Sequence, residues 1–417
     1  MSVVDQYSFD DPEAATNVAS CPDVRLRIGV FFDGTWNNMN NAEVGMAARA
    51  VGLPSAGGSY NTSVTHPAHL SRVYYEYAGS DLRDVDGKPL KTASVYVRGV
   101  ATSDNNPDSA ISGATAFWAE TVEERLVDAT LSVLDTIDRL SPTCPPEEVV
   151  LDLFGFSRGA ATARVFANRV KEGVITNAPN IKISFMGLFD TVAAFGIAWQ
   201  EWDDNFYSLA THIGPQTADK VVHLVAAHEI RENFSLSSID PTGGGDREQI
   251  LLPGVHGTIG GSPLDQPETI SVAQHEISLM QAQGILSGDI DTRSLFTQRR
   301  YETDLIDGDR RNPGTYQVDQ VDRVIWPGLR ILSLEVMHAK AVDADVPFVG
   351  LDPAMALPDI FEPLKAAALA GQDVTPEMMG RATSYIIPSS RYWNIANHPD
   401  AGLARTIIPN RPGLASG

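Results

Sequence analysis

Gly155-Phe156-Ser157-Arg158-Gly159 sets a serine between two glycines. A serine hydroxyl becomes a useful nucleophile when a base accepts its proton and a carboxylate orients that base. The pentapeptide follows the apolar run Val149–Phe154 and precedes Ala160, Ala161 and Ala163. That is the strand, sharp turn and small-residue helix of a nucleophile elbow. The turn strains the serine backbone, and the glycines let neighbouring segments approach where a Cβ would clash. Two downstream residues fit the remaining roles. Asp190 closes the apolar run Ile181–Phe189, and His256 follows Ile250–Val255. Asp203, Asp204 and Asp240 compete for the role of acid, and His228, His338 and His398 for that of base. Asp190 and His256 are preferred because each stands at the end of an apolar run and the order serine, acid, histidine is kept.

An acyl-transfer serine also needs two N–H groups aimed at the developing oxyanion. The N–H of Arg158, the residue after the nucleophile, is one candidate. The other is Gly34 or Thr35, in the Asp33-Gly34-Thr35 turn that ends Arg25–Phe32. The same turn invites a phosphatase reading built on Asp-x-Asp-Gly-Thr, but Phe31 stands where the aspartate nucleophile would be, so that activity is discarded. Trp199, Trp202, Phe206 and Tyr207 crowd one Gly- and Asp-containing stretch and are candidates for a lid or acyl pocket. No metal site and no cofactor is expected. Cys21 and Cys144 are too few for a zinc site or a disulfide framework, and are read as reduced thiols.

Positioning these residues requires a parallel sheet. Arg25–Phe32, Ser94–Val97, Val149–Phe156, Ile181–Phe189, Val221–Ala226 and the run near 250–256 read as strands. Between them, 66–77 and 115–140 read as helices, and 40–63 as a long loop. Helices are also expected over 269–284, 329–341 and 353–370, with 300–325 polar and poorly patterned. Strands alternating with helices predict an α/β class. The specific expectation is an α/β-hydrolase-like, mostly parallel sheet covered by helices on both faces, with loop or lid insertions. The domain reading is a polar leader at 1–23, a catalytic core over 24–345, and a helical and loop C-terminal extension packed on the core over 346–417.

The chain has 417 residues, 43% of them hydrophobic, enough to bury a sizeable core. Its 31 basic and 53 acidic residues leave a net charge of -22. Nucleic acid is therefore excluded as a partner, because phosphate contacts need clustered Lys and Arg. Steady adhesion to anionic membranes is disfavoured too, which leaves transient surface contact. The N-terminus shows neither a basic n-region nor an apolar h-region, and no apolar run reaches membrane-spanning length. Synthesis in the cytoplasm without a cleaved signal is expected.

Five stretches together resemble the catalytic domain of type VI secretion lipase effectors, a family of α/β-hydrolase phospholipases. They are Gly29-Val30-Phe31-Phe32-Asp33-Gly34-Thr35-Trp36-Asn37, Gly155-Phe156-Ser157-Arg158-Gly159-Ala160, Met186-Gly187-Leu188-Phe189-Asp190-Thr191-Val192, His228-Glu229-Ile230-Arg231-Glu232-Asn233-Phe234, and Pro253-Gly254-Val255-His256-Gly257-Thr258-Ile259-Gly260-Gly261. They follow the family's order over roughly 25–280, with a weaker echo at 329–347. The resemblance implies Ser157 as nucleophile, His256 as base and Asp190 as acid. It also implies glycerophospholipid acyl esters as substrate, a secretion-apparatus partner, an immunity protein in the producing cell, and delivery to a rival cell's periplasm. Alternatives on the same residues are a soluble carboxylesterase for small esters and an inactive hydrolase-fold binding protein.

Overall fold

The computed structural model describes residues 23–84, apart from 51–63, and residues 86–102, 118–193, 209–239 and 244–261. Beyond these it describes 268–273, 297–304, 315–325, 328–372, 374–382, 385–386, 400, 402 and 404–410. Within helices, the side chains of 48–50, 118–120, 376 and 381 lie outside the description, as do those of all residues from 262 to 327.

Six strands form one parallel sheet: β1 (Arg25–Phe32), β2 (Leu90–Val97), β3 (Glu148–Phe156), β4 (Ile181–Phe189), β5 (Lys220–Ala226) and β7 (Asp246–Leu252). A short β6 (Leu236–Ser237) lies between the last two in sequence and outside this sheet. The spatial order is β2-β1-β3-β4-β5-β7, and every neighbouring pair is parallel. Strands buried on both faces read as near-continuous apolar runs, which is why β1, β3 and β4 were visible from composition. Residues of opposite parity then serve opposite layers. Ile28, Val30 and Leu153 join Val122, Leu126 and Val133 of α3 (Trp118–Leu140) and Ala160, Val165 and Phe166 of α4 (Arg158–Lys171). Phe31, Phe154 and Phe185 join Leu70 of α2 (His66–Val73), together with Leu332, Val336 and Met337. Those last three belong to α6 (Gly328–Val342), and Leu364 of α7 (Glu362–Leu369) completes the layer. The expected α/β class, with helices on both faces of a parallel sheet, is the architecture found.

Several local expectations are corrected. Part of the supposed loop at 40–63 is α1 (Met39–Ala50), whose weak amphipathicity gave no periodic signal. The helix at 66–77 stops at Val73, because Tyr74 turns to extended backbone and bridges to Phe348. Where the helix over 269–284 was expected, β8 (Glu268–Ala273) occupies the first residues, and 274–284 lie outside the description. The polar stretch 300–325 holds most of β9 (Thr297–Asp304) and all of β10 (Thr315–Ile325). These three form a separate antiparallel sheet with β10 central. Val318, Val321 and Val324 recur every third residue, a spacing that matches neither a strand nor a helix template. Only Glu362–Leu369 of the helix expected over 353–370 is α-helical, after two short 3₁₀ turns. Cys144 is disulfide-bonded, which corrects the reduced-thiol reading; Cys21, the other cysteine of the chain, lies outside the described residues.

Candidate active site

Ser157 sits at the junction of β3 and α4 with φ 57° and ψ -124°. A non-glycine residue at positive φ is costly, and such strain persists only where surrounding structure enforces it. Here the enforcement is close packing. A Cβ on Gly155 would lie 2.6 Å from Ala160 Cα, and one on Gly159 would lie 2.3 Å from Asp33 O. Backbone bonds hold the turn as well, with Ser157 N donating to Phe189 O at 3.0 Å and Val192 N to Ser157 O at 3.3 Å. Asp190, one residue beyond β4, also has positive φ, at 44°. Its N–H donates to Leu224 O at 2.7 Å, and its Oδ1 accepts from Ala226 N at 2.9 Å. Strain at two adjacent strand ends thus turns a hydroxyl and a carboxylate toward one point.

His256 begins the short helix α5 (His256–Gly260), which follows β7. Its Nδ1 lies 2.6 Å from Asp190 Oδ2 and its Nε2 lies 2.8 Å from Ser157 Oγ. An ionised carboxylate only accepts, so the Nδ1 atom carries the proton and Nε2 is left to accept from the serine hydroxyl. Burial alone would push the Asp190 carboxyl up, but Arg405 and His256 outweigh it and hold the group well below the usual carboxylate range. Burial lowers the pKa of His256 below its ordinary 6.5, against the opposing pull of Asp190. The ring is therefore neutral at pH 7, as a proton acceptor must be. Phe156 and Phe234 flank it, with centroids 4.7 and 4.9 Å away.

His228 and His338, the rival histidines among the described residues, are occupied elsewhere. His228 Nδ1 accepts from Gly254 N at 3.0 Å, and burial lowers its pKa to about 4. His338 Nε2 bonds to Val349 O, and its ring stacks on Phe348. His398, Asp203, Asp204 and Asp240 lie outside the described residues, as do Trp199, Trp202, Phe206 and Tyr207.

The turn after β1 abuts the elbow, since a Cβ on Gly34 would fall 2.6 Å from the Phe156 ring. Gly34 N–H already donates to Asp33 Oδ1 at 2.8 Å. Trp36 N donates to Val100 O and Asn37 N to Gly34 O. Thr35 N–H is the donor of this turn with no acceptor among the described residues. The two candidates Gly34 and Thr35 are thus not equivalent, because the first is engaged by its neighbour's carboxylate. Arg158 opens α4, where the first N–H groups of a helix have no intrahelical acceptor.

Sequence reasoning missed three residues here. Glu229 is fully buried, takes the His256 backbone N–H on Oε2 at 3.2 Å, and pairs with Arg231 at 2.8 Å. His223 stands behind the acid and accepts Thr191 N–H on Nε2 at 3.0 Å. Arg405 reaches Asp190 from the C-terminal segment. Glu229 lay inside a stretch quoted for the family resemblance; nothing in the sequence around Arg405 singled it out.

Residues 171–283 match the family model of the T6SS, Phospholipase effector Tle1-like, catalytic domain. That segment is similar to the catalytic domain of the Tle1-like phospholipase effectors. The matched range contains Asp190 and His256. The fold agrees with that of a solved Tle1 effector, described as bound to the VgrG spike from the type 6 secretion system. That likeness has a TM-score of 0.58 at 21% identity, over 93% of this chain and 94% of that one. A crystal structure of an uncharacterized protein from Pseudomonas aeruginosa aligns with a TM-score of 0.44 at 19% identity, over 89% of this chain and 52% of that one. No curated protein sequence matches the chain significantly. A Tle1-like catalytic segment on this fold makes the protein a lipolytic hydrolase. Among the described residues, no helix is long and apolar enough to cross a membrane.

Proposed function

We propose that the protein hydrolyses acyl esters of glycerophospholipids through Ser157, His256 and Asp190. The observation that carries this reading is the pair of contacts on one imidazole, 2.8 Å to the Ser157 hydroxyl and 2.6 Å to the Asp190 carboxylate. Ser157 Oγ attacks the ester carbonyl and passes its proton to His256 Nε2. Asp190 holds the ring in the accepting tautomer and stabilises the imidazolium that forms. The N–H groups of Thr35 and Arg158 bind the oxyanion. His256 then protonates the departing alkoxide, and water, activated by the same ring, releases the fatty acid from Ser157.

The biological reading is an antibacterial effector, carried on a type VI spike component as its solved relative is, and acting on phospholipid from the periplasmic side of a target cell. A cognate immunity protein in the producing cell belongs to the same proposal. With a net charge of -22, contact with anionic lipid is transient and rests on apolar side chains rather than charge.

The test is turnover on phospholipid vesicles and on short-chain esters, for wild type and Ser157→Ala. Removing the nucleophile should cut turnover by roughly 10⁶ on both substrates. A Ser157→Ala protein that keeps its activity ends the mechanism. Activity confined to short-chain esters moves the substrate to the small-ester class. Expression directed to the periplasm should be toxic where cytoplasmic expression is not, and the same substitution should abolish that toxicity.

A further inference from the structure

We propose that Arg405 is a positioning residue of this site, a guanidinium delivered by the C-terminal segment that clamps both oxygens of Asp190 and fixes that carboxylate against His256. The inference rests on the Ser157–His256–Asp190 reading and assigns that site a fourth member. Arg405 Nη1 donates to Asp190 Oδ1 at 2.6 Å and Nη2 donates to Oδ2 at 2.9 Å. The remaining acceptor positions are filled by Ala226 N on Oδ1 and by His256 Nδ1 on Oδ2. Rotating the carboxyl away from the imidazole therefore breaks the guanidinium fork together with the histidine bond. A bidentate arginine pair supplies that geometric lock, which a lysine's point charge does not.

The segment that carries Arg405 is itself fixed. Ile407–Ile408 forms β11, parallel to Leu236–Ser237. Leu236 N donates to Thr406 O and Ser238 N to Ile408 O, both at 2.9 Å. Asn410 is buried and bridges Ile213 and Ile239. Arg164, fully buried in α4, bonds Ser237 O at 2.9 Å and so ties this small sheet to the helix that follows the nucleophile. Arg405 Nε also donates to Phe234 O at 2.6 Å, and the Phe234 ring packs edge-on against His256. One side chain thus steadies the acid and the aromatic wall of the base.

Arg405 also completes a charge balance. The groups facing His256 are Asp190 beyond β4, Glu229 and Arg231 after β5, Arg405 from the tail, and Ser157 on the elbow. His223, behind Asp190, is lowered to about 3 by burial and stays neutral. Two carboxylates are therefore opposed by two guanidinium groups. Removing Arg405 leaves an excess of negative charge beside the imidazole, which favours its protonation.

The experiment measures kcat and KM for p-nitrophenyl butyrate from about pH 5 to pH 9. It compares wild type, Arg405→Ala and Arg405→Lys, with Ser157→Ala as the control. For Arg405→Ala, kcat should fall roughly 10²-fold with KM within about twofold, and the acid limb of kcat/KM should move up by about one pH unit. A cavity of about 430 Å³, lined by Glu229, Leu236, Gln249, Arg405 and Ile407 among others, adjoins the guanidinium. Ethylguanidinium can enter there and should restore part of the lost kcat. Arg405→Lys keeps the charge without the fork, so its limb should stay at the wild-type position while kcat falls about tenfold. A folded Arg405→Ala protein with wild-type kcat and limb overturns the inference. Should Arg405→Ala not fold, as judged by circular dichroism, Arg405→Lys decides, and wild-type kcat there overturns it equally. Ser157→Ala separates the two failures. If that control is inactive while the Arg405 variants match wild type, the inference about Arg405 fails alone; an active control removes the underlying triad as well.

Discussion

Asp33 and Asp190 are the same residue type, at the same kind of place, with carboxyl groups shifted in opposite directions. Each stands one residue past a buried parallel strand, and both are buried, Asp33 at 2% exposure and Asp190 at 0%. Asp33 meets only neutral donors: Thr65 Oγ1 at 2.6 Å, Tyr96 OH at 2.5 Å and Gly34 N at 2.8 Å. Burial wins there and pushes its pKa up to about 6. Asp190 meets Arg405 as well as His256, and is held down. An arginine alone is not decisive. Asp152, buried with Arg27 and Tyr74, is still raised by desolvation. Both carboxylates carry a guanidinium across their two oxygens, so what separates Asp190 is the imidazole of His256 beside it. A strand-end aspartate is thus held ionised beside an imidazole or raised within a turn according to which groups the fold brings to it.

The sharpest way to break this contrast is Asp190→Asn. An amide lets Nδ1 lose its role as donor, so kcat on an ester substrate should fall by roughly 10⁴. Turnover within tenfold of wild type would reduce Asp190 to another turn-holding carboxylate. Next in size is Asp33→Ala, which leaves two hydroxyls and the Gly34 N–H without their acceptor. Stability in urea should drop by roughly 4 kcal/mol, as expected for several buried groups left unpaired.

The pH dependence of stability separates the two aspartates without disturbing packing. The folded-state pKa of Asp33 lies near 6 against an ordinary 3.8. Its contribution is complete below pH 3.8, and is lost as pH rises through about 6 because the folded state must then release a proton it holds tightly. Over that interval the loss is on the order of 3 kcal/mol, at about 1.4 kcal/mol per pKa unit. Urea melts of wild type and Asp33→Asn across the interval should differ by this slope; superimposable curves would remove Asp33 from the account. Asp190 has the opposite sign, stabilising while ionised and losing its contribution only in strong acid. The smallest expected effect is on turnover in Asp33→Asn. This change keeps one carbonyl acceptor for the turn, so kcat should remain within about tenfold. A loss as large as that of Asp190→Asn would place Asp33 in the chemistry.

How much of this was legible follows a physical line. The central strands were readable because burial on both faces forces continuous apolar runs, and Ser157 was readable because its turn demands glycines at fixed offsets. The antiparallel strands Thr297–Asp304 and Thr315–Ile325 were not, since polar residues and a spacing of three hide the two-residue alternation of a strand. Helix Met39–Ala50 escaped for want of an amphipathic stripe. At the site, the same logic made Asp190 and His256 visible as residues that end apolar runs. It left Glu229 and Arg405 invisible as partners of His256 and Asp190, because a buried contact between distant segments has no local pattern.

The amino-acid sequence by itself determined the order of Ser157, Asp190 and His256 along the chain, the parallel α/β class, and the glycine-flanked turn at Ser157. Those are consequences of local sterics and of apolar periodicity, both written in neighbouring residues. Only the tertiary structure decided which of Gly34 and Thr35 keeps a spare N–H among the described residues, which strand-end aspartate is shifted up and which down, and that Arg405 holds the latter. These depend on desolvation and on charge separation through space. Both quantities acquire a value only when segments far apart in the chain have been folded against one another.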